Sequence, residues 1–161
     1  MRGPSIARDI ELPVRPPGCQ LVAGALIVWA GRLFVQRRTA SRALFPRCWD
    51  IVGGHVEDGE DIFTALARET EEETGWRLTH VHALVYTSVW TGSDHRERQE
   101  LDFTVTVEGD LRQPRLEPGK HDAWRWLGAD ELGVLAENRQ QGDDMIASAA
   151  RAALRWHAAV T

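Results

Sequence analysis

The sequence predicts an α/β fold, and three patterns predict it. Gln20 to Ala30 is a continuous apolar run suited to a strand covered on both faces. Glu100 to Glu108 alternates strictly, with Leu101, Phe103, Val105 and Val107 on one face. Two segments, from Asp61 and from Asp143, repeat apolar residues at the helical period. Strands interspersed with helices favour an α/β sandwich over an all-β barrel or a helix bundle.

Residues 1–18 are rich in Pro, Gly and Arg and show no period, so they read as an extended or poorly ordered arm. Residues 19–161 then form one domain. Gly31 turns the first strand into a hairpin with Arg32 to Arg37. Thr39 to Arg47 is a polar, Arg-rich loop. Trp49 to Val52 is a short strand, and Gly53-Gly54 reads as a tight turn leading towards a helix. Asp58 is the expected N-cap, with Asp61 in the capping-box position, and Gly75 the expected C-cap.

Leu78 to Thr91 is β-rich, Gly92 to Gln99 turn-like, and Leu111 to Ala123 a long loop with Pro114 and Pro118. Trp124 to Leu127 is a short strand. Asp130 to Arg139 and Asp143 to His157 read as helices, the last with Ile146, Ala149, Ala150, Ala153, Leu154 and His157 inward. There are no repeats.

The chain has 161 residues, 43% hydrophobic, enough for one core. No apolar run approaches the ~18 residues that span a bilayer, and residues 1–18 hold no continuous apolar stretch of signal-peptide type. A membrane partner is therefore not expected, and the expected compartment is the cytoplasm. The net charge of −5 argues against a nucleic acid polymer as the main partner. Cys19 and Cys48 are far apart and read as reduced thiols. Locally, Arg37, Arg38, Arg42 and Arg47 precede the glycines, and acids concentrate from Glu57 to Glu73. A basic loop facing an acidic helix suits an anionic substrate.

The helix from Asp61 carries the strongest signal. At about 100° per residue, Ile62, Ala65 and Leu66 define an apolar stripe, and its next members are Glu69 and Glu73, with Glu72 at the edge. Carboxylates on a buried stripe cost several kcal/mol unless a cation or hydrogen bonds satisfy them. A divalent metal resolves the conflict, since hard cations take oxygen ligands and Glu at i, i+3 and i+4 converge. Arg68 lies four residues before Glu72 and can pair with it.

Gly54, five residues, Glu60, seven residues, then Arg68-Glu69-Thr70-Glu71-Glu72-Glu73-Thr74-Gly75-Trp76 resembles the Nudix box, G-x5-E-x7-R-E-U-x-E-E-x-G-U. Gly54, Glu60, Arg68, Glu69, Glu72, Glu73 and Gly75 match its fixed positions. Thr70 and Trp76 depart only at the loosely apolar ones. Trp124-Arg125-Trp126-Leu127 and Asp130-Glu131-Leu132 resemble the family's late strand and following helix, so the resemblance spans residues 19–139.

The resemblance implies the Nudix fold, a mixed β-sheet sandwiched between α-helices. It implies a Mg²⁺-dependent hydrolase, with Mn²⁺ as an alternative ion, that cleaves a diphosphate bond in nucleoside diphosphate derivatives, including free or modified triphosphates. The metal set is Glu69, Glu72, Glu73 and the Gly54 carbonyl, and Arg68 orients a carboxylate. Glu60 either reaches the metal or holds the glycine loop, the second being preferred. An acid from outside the box acts as base or ligand, Glu117 being preferred to Glu100. Arg37 and Arg38 are the candidate phosphate contacts. Trp49, Trp90, Trp124 and Trp126 are candidates for stacking on a base, although Trp is mostly a core residue. His80 and His82 share a strand face without a third ligand and read as exposed. A homodimer is left open by the family's habits. Two alternatives stand: a Nudix-fold binding or regulatory module without chemistry, and an isoprenoid diphosphate isomerase-like activity using Cys48.

Overall fold

The computed structural model describes residues 2–161. Its strands are β1 (Ser5–Ile6), β2 (Gln20–Trp29), β3 (Arg32–Arg38), β4 (Trp49–Asp50), β5 (Val52–His55), β6 (Arg77–Thr91), β7 (Glu97–Glu108) and β8 (His121–Leu127). Two α-helices, α1 (Ile62–Thr74) and α2 (Met145–Val160), cover them, with a 3-10 turn at Leu132–Ala136.

β2 organises the sheet. It runs parallel to β7 on one side. On its other side, Val22 to Ala25 pair antiparallel with β5, and Val28 and Trp29 pair antiparallel with β3. Its length follows from having two successive partners on one edge. β3 continues outward to β4 and β8, while β7 continues to β6 and then β1. The mixed sheet is thus forked, and the chain crosses the fork at Ile51, between β4 and β5.

Alternation along β2 feeds two cores. Ala23, Ala25 and Ile27 pack with Ile62, Ala65 and Leu66 of α1, together with Phe34 and Trp76. Leu26 packs on the other side with Ile146, Ala149, Ala150 and Ala153 of α2. Both faces are dry, which explains an uninterrupted apolar run.

Several boundaries differ from the sequence reading. The α1 N-cap is Asp61 rather than Asp58, and its carboxylate accepts from the Phe63 and Thr64 N–H groups (2.9 and 3.3 Å). Gly53 and Gly54 are not a turn. They lie in β5 against β2, where a Cβ on Gly53 would strike the Ala23 carbonyl and one on Gly54 the Glu69 carboxylate. The turn comes later, at Gly59 (φ 77°). Residues 130–139 form only the 3-10 turn, and α2 begins at Met145. Within the arm, Ser5 and Ile6 add a parallel strand to β6.

The helix stop agrees with expectation: Gly75 is left-handed (φ 77°), and its N–H donates to the Glu71 carbonyl. Thr70 and Thr74, buried in the helix, return their hydroxyls to the carbonyls four residues back (2.7 and 2.6 Å). Trp76 packs edge-on against Phe34 and donates its indole N–H to the Asp110 carbonyl (2.9 Å).

Removing the cap tests the corrected boundary. Asp61→Ala should cost about 1 kcal/mol in chemical denaturation, while Asp58→Ala should leave the midpoint within error. The reverse order would restore Asp58 as the cap.

Candidate functional site

Arg68 is held rigidly. Its Nε and Nη2 each donate to the Glu60 carboxylate (both 2.9 Å), a bidentate pair. Nη1 donates to Glu69 Oε1 (2.8 Å) and reaches Glu72 Oε2 (3.4 Å), and Nη2 also donates to the His55 carbonyl (3.1 Å). Glu60 accepts the Glu57 N–H as well (3.0 Å). Glu60 is thus engaged by Arg68 and the loop, which favours the structural role. The Arg68 hydrogen bonds pull its carboxyl down to about 2.

The helical stripe continues as its period demands. Glu69 and Glu73 are buried beside Leu66, while Glu72 remains exposed at the edge. Burial pushes the Glu73 carboxyl well above the ordinary range, and Glu69, Asp50 and Glu117 push it further. The Gly53 N–H, donating to Glu73 Oε1 at 2.8 Å, opposes this. Glu69 is raised too, first by burial and then by Glu72, with Arg68 and Lys120 in opposition.

His121 was not singled out from sequence. Its Nδ1 lies 3.5 Å from Glu73 Oε2, within ion-pair range. Burial, with Arg42, Arg38 and Lys120 nearby, lowers its value to about 3, so the ring is neutral and the contact is no ion pair.

A cavity of about 510 Å³ is lined by Gly53, Gly54, Glu69, Glu72 and Glu73 on its acidic side, with Glu60 and His121 behind its wall rather than on it. Arg38, Arg42 and Lys120 contribute positive charge to the same walls. Arg37 is not brought there. It pairs with Asp122 on the surface (2.8 Å) and lies 5.8 Å from the Trp49 ring, because neighbouring residues of β3 face opposite ways. Arg38 donates to the Leu44 carbonyl (2.8 Å) and sits 3.7 Å from Asp50.

Glu117 stands in the loop before β8, 3.2 Å from Lys120 Nζ and near enough to Glu73 to disfavour its charge. Glu100 lies elsewhere on the cavity wall, fully buried on β7, with Asp50 and Arg139 as its charged neighbours. Of the candidate stacking residues, only Trp90 lines this cavity. His80 and His82 sit on β6 with ring centres 4.4 Å apart, away from it. Cys48 is buried, its thiol donating to the Asn138 carbonyl (3.4 Å) and raised by burial, an inert setting for a nucleophile.

The donor set fits a hard divalent ion: both carboxylates are raised by burial, Glu69 adds to the rise at Glu73, and Arg68, Lys120 and the Gly53 N–H offset this only in part. Among the described residues, no three ligating side chains already converge on one point, so water and substrate oxygens would complete any shell. Among the described residues, no helix is long and apolar enough to cross a membrane.

A NUDIX domain model matches residues 20–149. An RNA pyrophosphohydrolase of Agrobacterium fabrum is 28% identical over 145 residues, 78% of this chain and 84% of its own. One from Rhodospirillum rubrum is 34% identical over 135 residues, 74% of this chain and 78% of its own. In structure, the chain is similar to a MutT NUDIX hydrolase from Burkholderia pseudomallei, with a TM-score of 0.67 at 26% identity. That match covers 83% of this chain and 96% of the other.

The raised Glu73 carboxyl has a consequence for stability. Its folded value lies above the unfolded one, so its contribution is intact at acid pH and falls as pH rises through the raised value. In chelator, Glu73→Gln should therefore melt higher than wild type at pH 8, and the difference should shrink by pH 4. A mutant that melts lower at pH 8 would show that the charge is already compensated within the protein.

Proposed function

The chain belongs to the NUDIX domain family and is a Nudix pyrophosphohydrolase, and from this premise we propose that it uses Mg²⁺, or Mn²⁺, to cleave a diphosphate bond in nucleoside diphosphate derivatives such as free or modified nucleoside triphosphates. The observation that carries this reading is the pair of buried carboxylates, Glu69 and Glu73, opposite Arg38, Arg42 and Lys120 in one cavity. An anion and a cation between them would satisfy both walls.

Glu69, Glu72, Glu73 and the Gly54 carbonyl would hold the ion. When bound, it supplies charge neutralisation on phosphate oxygens and acidifies water. The remaining work falls to the chain. Arg68 fixes the rotamers of Glu69 and Glu72 and is a positioning residue. Arg38, Arg42 and Lys120 grip the phosphate chain, with Arg37 contributing long-range charge from outside the cavity. Gly53 and Gly54, lacking side chains, let backbone approach the phosphates. Water attacks phosphorus in line with the departing phosphate, and Glu117 takes its proton. Lys120 Nζ, 3.2 Å from Glu117 Oε1, orients that carboxylate.

The intact charged positions of the box speak against a binding module without chemistry, and the inert setting of Cys48 speaks against an isomerase. A second reading, favoured by the relatives named RNA pyrophosphohydrolase, places the scissile diphosphate at an RNA end. A panel of nucleotides and a 5′-triphosphorylated RNA oligomer, incubated with Mg²⁺ or Mn²⁺ and resolved by chromatography, separates the two.

Chelation should abolish hydrolysis and Mg²⁺ should restore it; turnover that survives exhaustive chelation sinks the metal mechanism. Glu72→Gln and Glu73→Gln should each lower turnover by orders of magnitude while keeping the fold. Glu117→Gln should lower kcat by about 10²-fold or more, in the range expected for a lost general base, with KM little changed. Mild effects at Glu117 would return the base to the box.

A further inference from the structure

Arg68 serves two of the three acids that would hold the ion. Its fork reaches Glu69 and Glu72. Glu73 lies one helical turn beyond Glu69, and among the described residues its carboxylate meets two other groups. The Gly53 N–H donates to Oε1 at 2.8 Å, and His121 Nδ1 stands 3.5 Å from Oε2. Glu73 is also the most buried of the three acids. Protein groups rather than bulk water must therefore set its orientation.

His121 is as enclosed as its neighbour. The two side chains are 2% and 5% exposed. His121 Nδ1 has no partner within ordinary hydrogen-bond geometry, although buried polar atoms are normally paired. Glu73 Oε2 is the acceptor at hand. A neutral imidazole carries its N–H on Nδ1 or on Nε2, and a carboxylate oxygen opposite Nδ1 selects the Nδ1–H tautomer.

The backbone fixes where the ring stands. His121 begins β8 and pairs with Arg38 of β3. Its N–H and that of Lys120 both donate to the Glu117 carbonyl (3.4 and 3.2 Å), which closes the turn before the strand. Thr39 ties that turn to the end of β3. Its N–H donates to the Lys120 carbonyl (3.0 Å) and its hydroxyl to the Gly119 carbonyl (2.9 Å). An imidazole anchored in this way can hold a direction for a partner on α1.

We propose that His121 is a positioning residue for Glu73. Its Nδ1–H donates to Oε2 as the Gly53 N–H donates to Oε1, and together they fix the plane of a carboxylate that Arg68 does not reach. The assignment rests on the functional reading above and carries the set of residues that serve the ion beyond the box. Outer donors of this kind orient ligating carboxylates, and their loss typically weakens metal binding about 10- to 100-fold.

The test titrates Mn²⁺ calorimetrically into chelator-treated protein, which reads the ion without turnover. It compares wild type, His121→Asn, His121→Gln, His121→Leu, Glu73→Gln, and His121→Leu combined with Glu73→Gln. The Asn amide nitrogen falls near the place of Nδ1, whereas the Gln amide nitrogen falls near that of Nε2. Leu fills the volume and offers no donor. Thermal melting in chelator reports which variants are folded.

His121→Leu and His121→Gln should each weaken Mn²⁺ binding by about 10-fold or more, and His121→Asn should recover most of the loss. In the Glu73→Gln background, His121→Leu should add less than about twofold, because the charged acceptor is already gone. His121→Leu should also raise the Mg²⁺ concentration for half-maximal turnover, with a smaller effect on kcat at saturating Mg²⁺. Unaltered Mn²⁺ affinity in the Leu and Gln variants would overturn the assignment. An Asn variant as weak as Leu would overturn it too, by showing that the ring packs rather than donates. A full further loss in the Glu73→Gln background would do the same, by tracing the effect to the fold. If His121→Leu fails to fold, the Asn–Gln contrast decides, and Asn binding no tighter than Gln overturns the assignment. A wild type that takes up no Mn²⁺ would sink the metal reading itself, and the assignment with it.

Discussion

Everything in the site depends on where the Arg68 guanidinium is held. It joins three pieces of chain: the loop before α1 through Glu60, the end of β5 through the His55 carbonyl, and the helix itself through Glu69 and Glu72. A half-buried arginine–carboxylate pair such as Arg68–Glu60 contributes little net stability once desolvation is counted. Its contribution here is positional, because a planar fork fixes the direction of each partner. Glu60 takes two of the fork's arms, and the remaining reach goes to a helix whose carboxylates would otherwise turn away from one another. Gly54 completes the arrangement, since any Cβ there would occupy the space of the Glu69 carboxylate.

The fork in the sheet supplies the second constraint. A strand with partners on one continuous edge leaves no opening. β2 instead pairs with β5 at Val22 to Ala25 and with β3 at Val28 and Trp29, and the stretch Asp50 to Val52 lines the cavity that results. Topology thus explains how residues from α1, β5, β7 and the Arg38–Phe45 region come to share one space. The α1 core supports the phosphate side and the α2 core the wall that holds Glu100.

The legible and illegible parts of the sequence divide along physical lines. Glu69 and Glu73 were readable because helical period alone places them on the stripe of Leu66, and burial agrees. Gly75 was readable because few residues tolerate a left-handed stop. Gly53 and Gly54 misled because glycine usually marks a turn, and only the packing of β5 against β2 and α1 shows why a strand needs them. Arg37 and Arg38 are adjacent in sequence and opposite in space, so proximity in the chain suggests one task for both, whereas β3 turns only Arg38 to the cavity. The alternation of β7 reveals Leu101 and Phe103 but carries no sign of what covers the face that holds Glu100 and Asp102. In fact the other face is also covered, and both acids are buried. Arg42 was legible in the basic stretch before the glycines, whereas His121 and Lys120 carried no pattern of their own, since only the fold brings them beside the acidic end of α1.

The two sets of buried acids, one on α1 and one on β7, are wired for different ends. Glu69 and Glu73 have donors arranged for the charged form: the Arg68 fork on one and the Gly53 N–H on the other. Glu100 Oε2 and both oxygens of Asp102 have no such donor. Burial pushes both of these carboxyls up, Asp50 adds to the effect on each, and Glu100 raises Asp102 further. With a cation between its carboxylates, such a site would carry negative charge at the Glu69–Glu73 end and withhold it at the Glu100 end. A ligand that matches both ends is anionic where it meets Arg38, Arg42 and Lys120, and neutral but polar where it meets Glu100. A phosphorylated nucleoside has that asymmetry, whereas inorganic polyphosphate, charged along its whole length, does not.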